Sequence, residues 1–230
     1  MIKIINGIEY TSIDIGGKPS NYTVSKNLSN REKFVHIEHE IDGVPVLSIK
    51  DNAFMKCIWL NEVELPDSLF RIGCAAFYRC TFLTKVRFYK TSAENSEASI
   101  SIGEEAFSDC VSLTEIDTLK PLHLNGQMIF HDCVALQKLN NGNVLVGGVY
   151  ALDFYNCRNL KDIYIKGSRC RLWTDCFKDA VGLCDIRFDC NYVQAPKSVL
   201  KQLAKKKIYC NSRCNLTELA YTGTNIYITD

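Results

Sequence analysis

The sequence predicts a β-rich solenoid built from six stacked copies of one short repeat. Three observations support this prediction. A phenylalanine recurs at a nearly constant spacing, apolar residues accompany it at fixed distances, and a cysteine occupies one of these positions in most copies. A unit of about 23 residues cannot bury its apolar edge alone. We therefore expect the copies to stack and to share one continuous core.

Each copy contains Phe, Cys, Leu and an aliphatic residue, each three positions after the one before. Five positions before the phenylalanine an aliphatic residue recurs in every copy but the fourth, which has Asn125 there. The sixth copy has Ala180 in place of the cysteine. The phenylalanines, with steps of 23, 30, 23, 24 and 23 residues, are Phe54, Phe77, Phe107, Phe130, Phe154 and Phe177.

The spacing within a copy predicts its local structure. Residues three positions apart lie on one face of a short helical turn, which we place on the convex side. Beyond the leucine, apolar residues alternate with polar ones, as in Ile163 and Ile165. A period of two indicates a strand, and parallel strands stack about 4.8 Å apart. Identical positions are thus expected to form ladders along the solenoid axis.

Cysteine is unusually frequent, with twelve residues in the chain. Five are predicted to be buried spacers, because a free cysteine is small and apolar. They are Cys57, Cys80, Cys110, Cys133 and Cys157. No C-x-x-C pair occurs, so no zinc site is predicted. Among the others, only Cys210 and Cys214 are expected to be able to pair locally. So many free thiols favour a reducing, cytoplasmic location. The alternative is the cell surface or secretion, if the chain is a processed fragment.

Two stretches carry a family resemblance. Residues 41–54 and 65–77 resemble the start of a BspA-like leucine-rich repeat array, and the element Gly-x-x-Ala-Phe-x-x-Cys at residues 73–80 is quite specific to it. The resemblance covers roughly residues 40 to 195. It implies a right-handed leucine-rich-repeat solenoid used for adhesion or protein binding, often in bacterial surface proteins and in protists. It implies no catalytic residues.

The sequence predicts a single solenoid domain, residues 1–230, with a cap at each end. Residues 1–45 form an N-terminal cap of β-hairpins, with turns at Asn6-Gly7 and Gly16-Gly17. Residues 46–190 hold the six repeats. Residues 191–230 form a C-terminal cap with a short helix after Pro196, a turn at 222–225 and a final strand from Ile226 to Ile228. The longest step contains a polar insertion at residues 89–99, which is expected to be a surface loop and is an alternative place for binding.

The residues that flank each buried aliphatic position are predicted to point outward onto the concave sheet. These binding candidates are Glu62, Glu64, Lys85, Arg87, Glu115, Asp117, Lys138, Asn140, Asp162, Tyr164, Asp185 and Arg187. Solenoids generally bind through such extended surfaces. Acidic and basic rungs alternate, however, so the stripe can also be a solvated face whose charges neutralise one another. Tyr164, Phe88, Tyr89 and Trp59 are expected to add aromatic contact area.

The composition and the motifs that are missing argue against several classes of function. The formal net charge is only +1, so no nucleic-acid partner is predicted. No apolar run approaches the length of a membrane span. No phosphate-binding or nucleophile motif occurs, and His36 and His39 fall on opposite faces of a predicted strand. We therefore predict no catalytic residue, metal or cofactor. The predicted function is a non-catalytic scaffold that binds another protein through its concave face. The alternative is a secreted or surface adhesin that recognises a host protein or glycan.

Overall fold

A computed structural model gives the architecture. It describes residues 1–28, 31–91, 99–118, 120–140, 144–204, 206–215 and 225–229. Within this part of the chain, short parallel strands alternate with turns, and a single helix lies near the C-terminal end. No helix among these residues is long and apolar enough to cross a membrane.

The strands run in chain order from the N-terminal hairpins to the last rung. They are β1 Ile2–Ile5, β2 Ile8–Ile15, β3 Lys18–Asn27, β4 Phe34–His36, β5 Glu40–Ile41, β6 Val44–Ile49, β7 Glu62–Pro66, β8 Arg71–Ile72, β9 Lys85–Tyr89, β10 Ile100–Gly103, β11 Glu115–Asp117, β12 Leu122–Asn125, β13 Val144–Val146, β14 Asp162–Lys166, β15 Arg169–Arg171, β16 Asp185–Asp189, β17 Tyr192–Gln194, β18 Lys207–Cys210 and β19 Asn225–Ile228. The helix, α1, spans Lys197–Leu203.

The predicted solenoid is confirmed. Its first ladder consists of the strands that follow the leucine of each copy, and it extends beyond the six predicted copies at both ends. The buried aliphatic positions are in register from strand to strand in two runs. The first run is Val35, Val63, Val86 and Ile116, and the second is Ile163, Ile186, Ile208 and Ile226. β4 therefore adds a rung before the first copy, and β18 and β19 add two rungs after the sixth.

A second ladder passes through the aliphatic residue that precedes each phenylalanine. Ile49, Ile72, Ile102 and Leu124 pair in register across β6, β8, β10 and β12. The sequence placed Asn125 at this position in the fourth copy, and that alignment was wrong by one residue. Leu124 is buried there, because this copy has one additional residue between the strand and its phenylalanine. β13 pairs with β12 on one side and β14 on the other, which joins the second ladder to β14, β16, β18 and β19 in one 13-stranded sheet. The strands β4, β7, β9 and β11 form a separate four-stranded sheet.

The turns around the phenylalanines have a recurring backbone geometry. In all six copies the residues two before and two after the phenylalanine have positive φ, as at Asn52 (62°) and Lys56 (59°). Cys57 N donates to Phe54 O at 3.1 Å, but the positive φ of Lys56 makes this segment a hydrogen-bonded β-turn, so the predicted short helical turn is wrong. Asn52 N and Lys56 N donate instead to carbonyls of the next copy, at 2.9 and 2.7 Å. Left-handed residues cost free energy, and these bonds between coils offset that cost.

The core is filled by a stack of phenylalanine rings. The six rings are nearly parallel, with successive centroids 4.9, 5.1, 5.6, 5.4 and 6.1 Å apart. Full burial of a phenylalanine contributes about 1.5–3 kcal/mol. Since each ring contacts the next, one continuous core runs through all copies.

The N-terminal hairpins cover the first copy, and α1 packs on the core near the C-terminal end. The predicted hairpin turns are present, with positive φ at Asn6 and Gly7 and at Gly16 and Gly17. β3 then runs parallel to β6 and covers the first copy. At the other end α1 buries Val199, Leu200 and Leu203. Residues 92–98 of the predicted insertion and residues 222–224 of the predicted C-terminal turn lie outside the described residues.

Candidate functional site

The candidate site is the outward surface of the first strand ladder, here named the strand face. It consists of the residues on either side of each buried aliphatic position in β4, β7, β9, β11, β14, β16, β18 and β19. Parallel registration places them in two columns within each of two strand groups, first β4, β7, β9 and β11 and then β14, β16, β18 and β19. Eleven of the twelve predicted candidates are at least partly accessible to solvent there, and Asn140 is not.

Asn140 is the exception because the fourth copy leaves the ladder early. Only an isolated bridge joins Lys138 to Glu115. Asn140 is 7% exposed, its Nδ2 donates to Val144 O at 2.7 Å, and its Oδ1 accepts from Val144 N at 2.6 Å. Its side chain therefore closes a local turn and is not presented outward as the alternation predicted.

The first part of the strand face, on β4, β7 and β9, is held by contacts within the face. Arg87 lies 3.1 Å from Glu62, and His36 Nδ1 lies 3.2 Å from Glu64 Oε2. The His36 ring also stacks on Tyr89, whose hydroxyl donates to Ile37 O at 2.7 Å. These groups satisfy one another, as the alternating charges of the sequence suggested.

The later part has a different surface. Tyr164, Arg187, Tyr209 and Tyr227 are in register on β14, β16, β18 and β19. The guanidinium carbon of Arg187 lies 5.6 Å from the ring centroid of Tyr164 and 5.8 Å from that of Tyr209. The rings of Tyr209 and Tyr227 are stacked with centroids 5.3 Å apart. We call these four residues the tyrosine ladder.

Two further contacts fix the start of the tyrosine ladder. The Tyr164 hydroxyl donates to Asp189 Oδ2 at 3.1 Å, and Lys166 Nζ lies 5.0 Å from the Tyr164 ring centroid. Burial is the main reason that the pKa of Tyr164 is raised, followed by its bond to Asp189. Tyr164 is therefore a neutral hydrogen-bonding group with a fixed orientation.

An open depression of about 470 Å³ lies beside the tyrosine ladder. Its lining includes Tyr164, Arg187, Tyr209 and the carboxylates of Asp162 and Asp185, which face each other across β14 and β16. Asp185 Oδ1 is shielded from solvent and has no hydrogen-bond partner among the described residues. Buried acceptors of this kind are nearly always satisfied in proteins. The depression therefore contains an acceptor suited to a donor on a ligand.

Tyr209 and Tyr227 were missed by the sequence reasoning, which assigned their segments to the cap. The available signal was local alternation. Ile208-Tyr209-Cys210 and Ile226-Tyr227-Ile228 repeat the pattern of Ile163-Tyr164-Ile165. Neither tyrosine is preceded by the phenylalanine and leucine that define the six copies, so the repeat alignment did not include them.

The other predicted aromatic residues have different surroundings. Trp59 is 55% exposed in the turn before β7, where Phe82 of the next copy is 60% exposed. Trp59 is therefore outside the core, at one margin of the strand face. Phe88 packs partly against the core, and Tyr89 is held by His36 and Ile37.

Four of the five ladder cysteines are buried in the core, as predicted. The fifth, Cys57, is only partly buried, and Asn27 Nδ2 donates to its Sγ at 3.4 Å. Cys80, Cys110, Cys133 and Cys157 each place Sγ 3.1 Å from the carbonyl oxygen of the phenylalanine one copy earlier. Burial raises the pKa of all four thiols well above the usual value. Each of these thiols is fully buried and directed at a backbone carbonyl, so these four residues are structural.

Cys210 and Cys214 were expected to be able to pair locally, but the structure places each thiol next to a different group. Cys214 Sγ lies 3.9 Å from Cys190 Sγ, whereas Cys210 Sγ lies 3.9 Å from Tyr227 O. The reason is that Cys210 belongs to β18 and points into the core, at 2% exposure. Cys214 follows in the next turn and faces the preceding copy.

One cluster of potential metal ligands occurs among the described residues, namely Asp109, His131 and Asp132. Its groups already have partners within the protein. Arg79 lies 3.1 Å from Asp109, and Asn156 Nδ2 donates to Asp132 Oδ1 at 2.6 Å. His131 Nδ1 is 3.1 Å from Asp132. The arrangement is explained by contacts between neighbouring turns of the solenoid.

Comparison with known proteins agrees with this architecture. The model of the BspA type leucine rich repeat region matches residues 47–183 in six copies. The chain therefore belongs to the BspA-type leucine-rich repeat family. Among curated proteins, no sequence is significantly similar to this chain.

Three solved structures of leucine-rich repeat proteins are similar to this chain. The leucine-rich repeat protein of T. pallidum is 22% identical, with a TM-score of 0.52 over 79% of this chain and 91% of that chain. A leucine-rich repeat protein from Bacteroides capillosus is 23% identical, with a TM-score of 0.48 over 61% and 99%. A leucine-rich cell surface protein from Faecalibacterium prausnitzii is 16% identical, with a TM-score of 0.45 over 100% and 95%. The first of these supports the solenoid fold.

Proposed function

We propose that this chain is a non-catalytic module that binds another protein through the later part of the strand face. The observation that carries the proposal is the tyrosine ladder, in which Arg187 is held between Tyr164 and Tyr209 on an accessible sheet surface. Tyrosine and arginine are enriched among the residues that dominate protein interfaces. Tyrosine also gives a large contact area at a small cost in conformational entropy.

The adjoining depression adds polar complementarity. Arg187 has donors in a planar fork that suit carboxylates or backbone carbonyls, and Asp185 supplies an acceptor without a partner among the described residues. Donors and acceptors arranged this closely favour a polypeptide, whose backbone offers both. The first part of the strand face is a weaker candidate, since its charged groups already bind one another.

The family supports an interaction role, since extended solenoid surfaces generally serve for binding. We also propose a reducing, cytoplasmic location. It is supported by the four ladder thiols, each of which contacts a carbonyl oxygen and not another sulfur. Titration of accessible and total thiols in protein isolated from its native source tests this location. Mostly disulfide-bonded cysteines would place the protein outside the cytoplasm.

The binding proposal is tested by quantitative capture from an extract of the cells that produce the protein. The test variant combines Tyr164→Ser, Arg187→Ala and Tyr209→Ser. The matched control combines Glu62→Gln and Arg87→Gln on the first part of the same face. We expect the wild-type chain and the control to capture the same protein and the test variant to lose at least 90% of it, about 1.4 kcal/mol or more of binding.

Two results would overturn the proposal. Equal capture by the test variant would move the binding surface elsewhere. Capture that is abolished by glycosidases but survives proteolysis of the extract would replace a protein ligand with a glycan. Circular dichroism melting of all three chains excludes unfolding as the cause, because surface substitutions usually change stability by only about 0.5 kcal/mol.

A further inference from the structure

The sulfur atoms of Cys190 and Cys214 face each other at the C-terminal end of the solenoid, 3.9 Å apart. This contact differs from those of the cysteine ladder. There each Sγ lies 3.1 Å from a backbone carbonyl, as Cys157 does beside Phe130 O. The thiols of Cys190 and Cys214 are thus directed at one another, whereas the ladder thiols are directed at the backbone.

The backbone around the pair allows a covalent bond. Asn215 N donates to Asn191 O at 2.8 Å, and Tyr192 and Asn215 form a parallel bridge. In this register Cys214 lies beside Asn191, so Cys190 is offset from Cys214 by one residue, about 3.3 Å along the strand. Neighbouring parallel strands lie about 4.8 Å apart, and disulfides join Cα atoms about 4.4–6.8 Å apart. Rotation of the two side chains is therefore sufficient to close the bond.

Only one of the two thiols, that of Cys214, is accessible from solvent. Cys190 is 2% exposed, while Cys214 is partly exposed. Cys170 also contacts Cys190, but it is 1% exposed and lies deeper in the same end of the solenoid. A small oxidant arriving from solvent therefore meets Cys214 first, and Cys190 is the thiol positioned to complete the reaction.

We propose that Cys190 and Cys214 are a reversible redox pair that forms a disulfide by exchange with a small disulfide such as oxidised glutathione. The Cys214 thiolate attacks one sulfur of oxidised glutathione, forms a mixed disulfide and releases one glutathione thiolate. The Cys190 thiolate then attacks the Cys214 sulfur and displaces the second glutathione. The two protons of the protein thiols end on the two glutathione thiols, and the two electrons that the protein loses reduce the glutathione disulfide.

The bond would connect two rungs of the tyrosine ladder. Cys190 directly follows β16, which carries Arg187, and Cys214 lies four residues beyond β18, which carries Tyr209. Closing this loop restricts the unfolded chain and the separation of the last rungs. The oxidised protein is therefore more resistant to opening at its C-terminal end.

The rate should depend on pH in a defined direction. Burial raises the pKa of Cys214 to about 12, and a hydrogen bond to Cys170 together with burial raises the pKa of Cys190, so little of either thiolate is present at neutral pH. Because the thiolate is the nucleophile, exchange is slow at pH 7 and accelerates about tenfold for each unit of pH below the pKa of Cys214.

The test equilibrates the full chain with oxidised and reduced glutathione at pH 8, blocks the remaining thiols by alkylation and maps tryptic peptides without reduction. Arg213 separates Cys214 from Cys210, so the peptide map assigns the bond directly. We expect a peptide pair that links Cys190 to Cys214, and a melting temperature about 5 °C higher than that of the reduced protein.

Cys214→Ser should abolish both the linked peptide and the melting shift, and the matched control Cys210→Ser should retain both. A link between Cys170 and Cys190, a link between Cys210 and Cys214, or a stable glutathione adduct on Cys214 alone would each overturn the proposal. The wild-type peptide map decides among these outcomes even if a variant folds poorly.

Discussion

The early copies of the solenoid (residues 46–118) and its later part (residues 144–228) share a backbone design but differ at the positions that the repeat leaves free. In the early copies the position before the phenylalanine is alanine, the cysteine is present and the strand face is ion-paired, as at Arg87 and Glu62. In the later part the fifth copy has Asp153 before its phenylalanine, the sixth has Ala180 in place of the cysteine, and the strand face carries the tyrosine ladder. A repeat therefore constrains its ladders and leaves the remaining positions free for local specialisation.

The largest expected difference concerns the phenylalanine stack. Phe107 is fully buried between two rings at 5.1 and 5.6 Å, whereas Phe177 ends the stack, 6.1 Å from Phe154. Phe107→Ala should destabilise the protein by about 4 kcal/mol and Phe177→Ala by about 3 kcal/mol. Urea unfolding of both variants measures the difference. A larger loss of unfolding free energy for Phe177→Ala than for Phe107→Ala would contradict the conclusion that Phe107 lies at the centre of the core.

The second prediction contrasts Asp153 with Ala76, which occupies the same position of the repeat. Asp153 is fully buried, its Oδ1 accepts from Ile129 N and its Oδ2 accepts from Tyr150 N, and burial raises its pKa to about 7. The folded state therefore retains a proton that the unfolded chain releases near pH 4. The resulting stability is complete below pH 4 and is lost as the pH rises to 7.

Because of this group, raising the pH from 5 to 8 should lower the unfolding free energy of the wild type by about 2–3 kcal/mol. Asp153→Ala, which copies the early repeats, should remove this dependence whatever its effect on absolute stability. Chemical unfolding at both pH values supplies the measurement. A pH dependence identical in the two proteins would show that Asp153 is not the responsible group.

The third prediction concerns two arginines at equivalent positions of the repeat, Arg87 in the first part of the strand face and Arg187 in the later part. Arg187→Ala should weaken partner binding at least tenfold, about 1.4 kcal/mol, because it removes the group held between Tyr164 and Tyr209. Arg87→Ala should change binding less than twofold and stability by about 0.5 kcal/mol, the usual contribution of an exposed ion pair. Titration calorimetry with the captured partner compares them, and equal losses would remove the distinction between the two parts of the face.

The last prediction concerns the cysteine ladder, where adding a thiol to the sixth copy should have only a small effect on stability. Ala180→Cys would place a thiol where the other copies contact a phenylalanine carbonyl, here that of Phe154. A stabilisation of about 0.5–1 kcal/mol is expected, as for an ordinary hydrogen bond. The reciprocal Cys110→Ala should cost about 1–2 kcal/mol, because it also leaves a cavity. Thermal melting detects both, and destabilisation by Ala180→Cys would show that the last copy is packed too tightly for sulfur.

Much of the fold could be predicted because ladders impose strict spacing. Phenylalanine, leucine and the first aliphatic position recur wherever two copies contact each other, and alternation identifies the strands. The fourth copy was aligned one residue off, since one additional residue before Phe130 shifts Leu124 relative to the frame. Spacing alone cannot distinguish such an insertion from a polar substitution.

The candidate site was less predictable for a physical reason. Outward positions are not constrained by packing, so their grouping depends on register between strands far apart in sequence. Tyr164 and Arg187 were identified within the repeat frame, but Tyr209 and Tyr227 lie beyond its phenylalanines. Asn140 satisfied the alternation, yet its amide closes a turn, because the fourth copy forms only one bridge to its neighbour.

The most direct measurement for the proposed binding surface is hydroxyl-radical footprinting of the chain with and without its captured partner. Side-chain oxidation should fall at Tyr164, Tyr209 and Tyr227 when the partner is bound, and remain unchanged at Trp59 and Phe82, which are exposed at the margin beside the early copies. Protection of Trp59 and Phe82 with continued oxidation of the three tyrosines would contradict the account and place the interface at that margin.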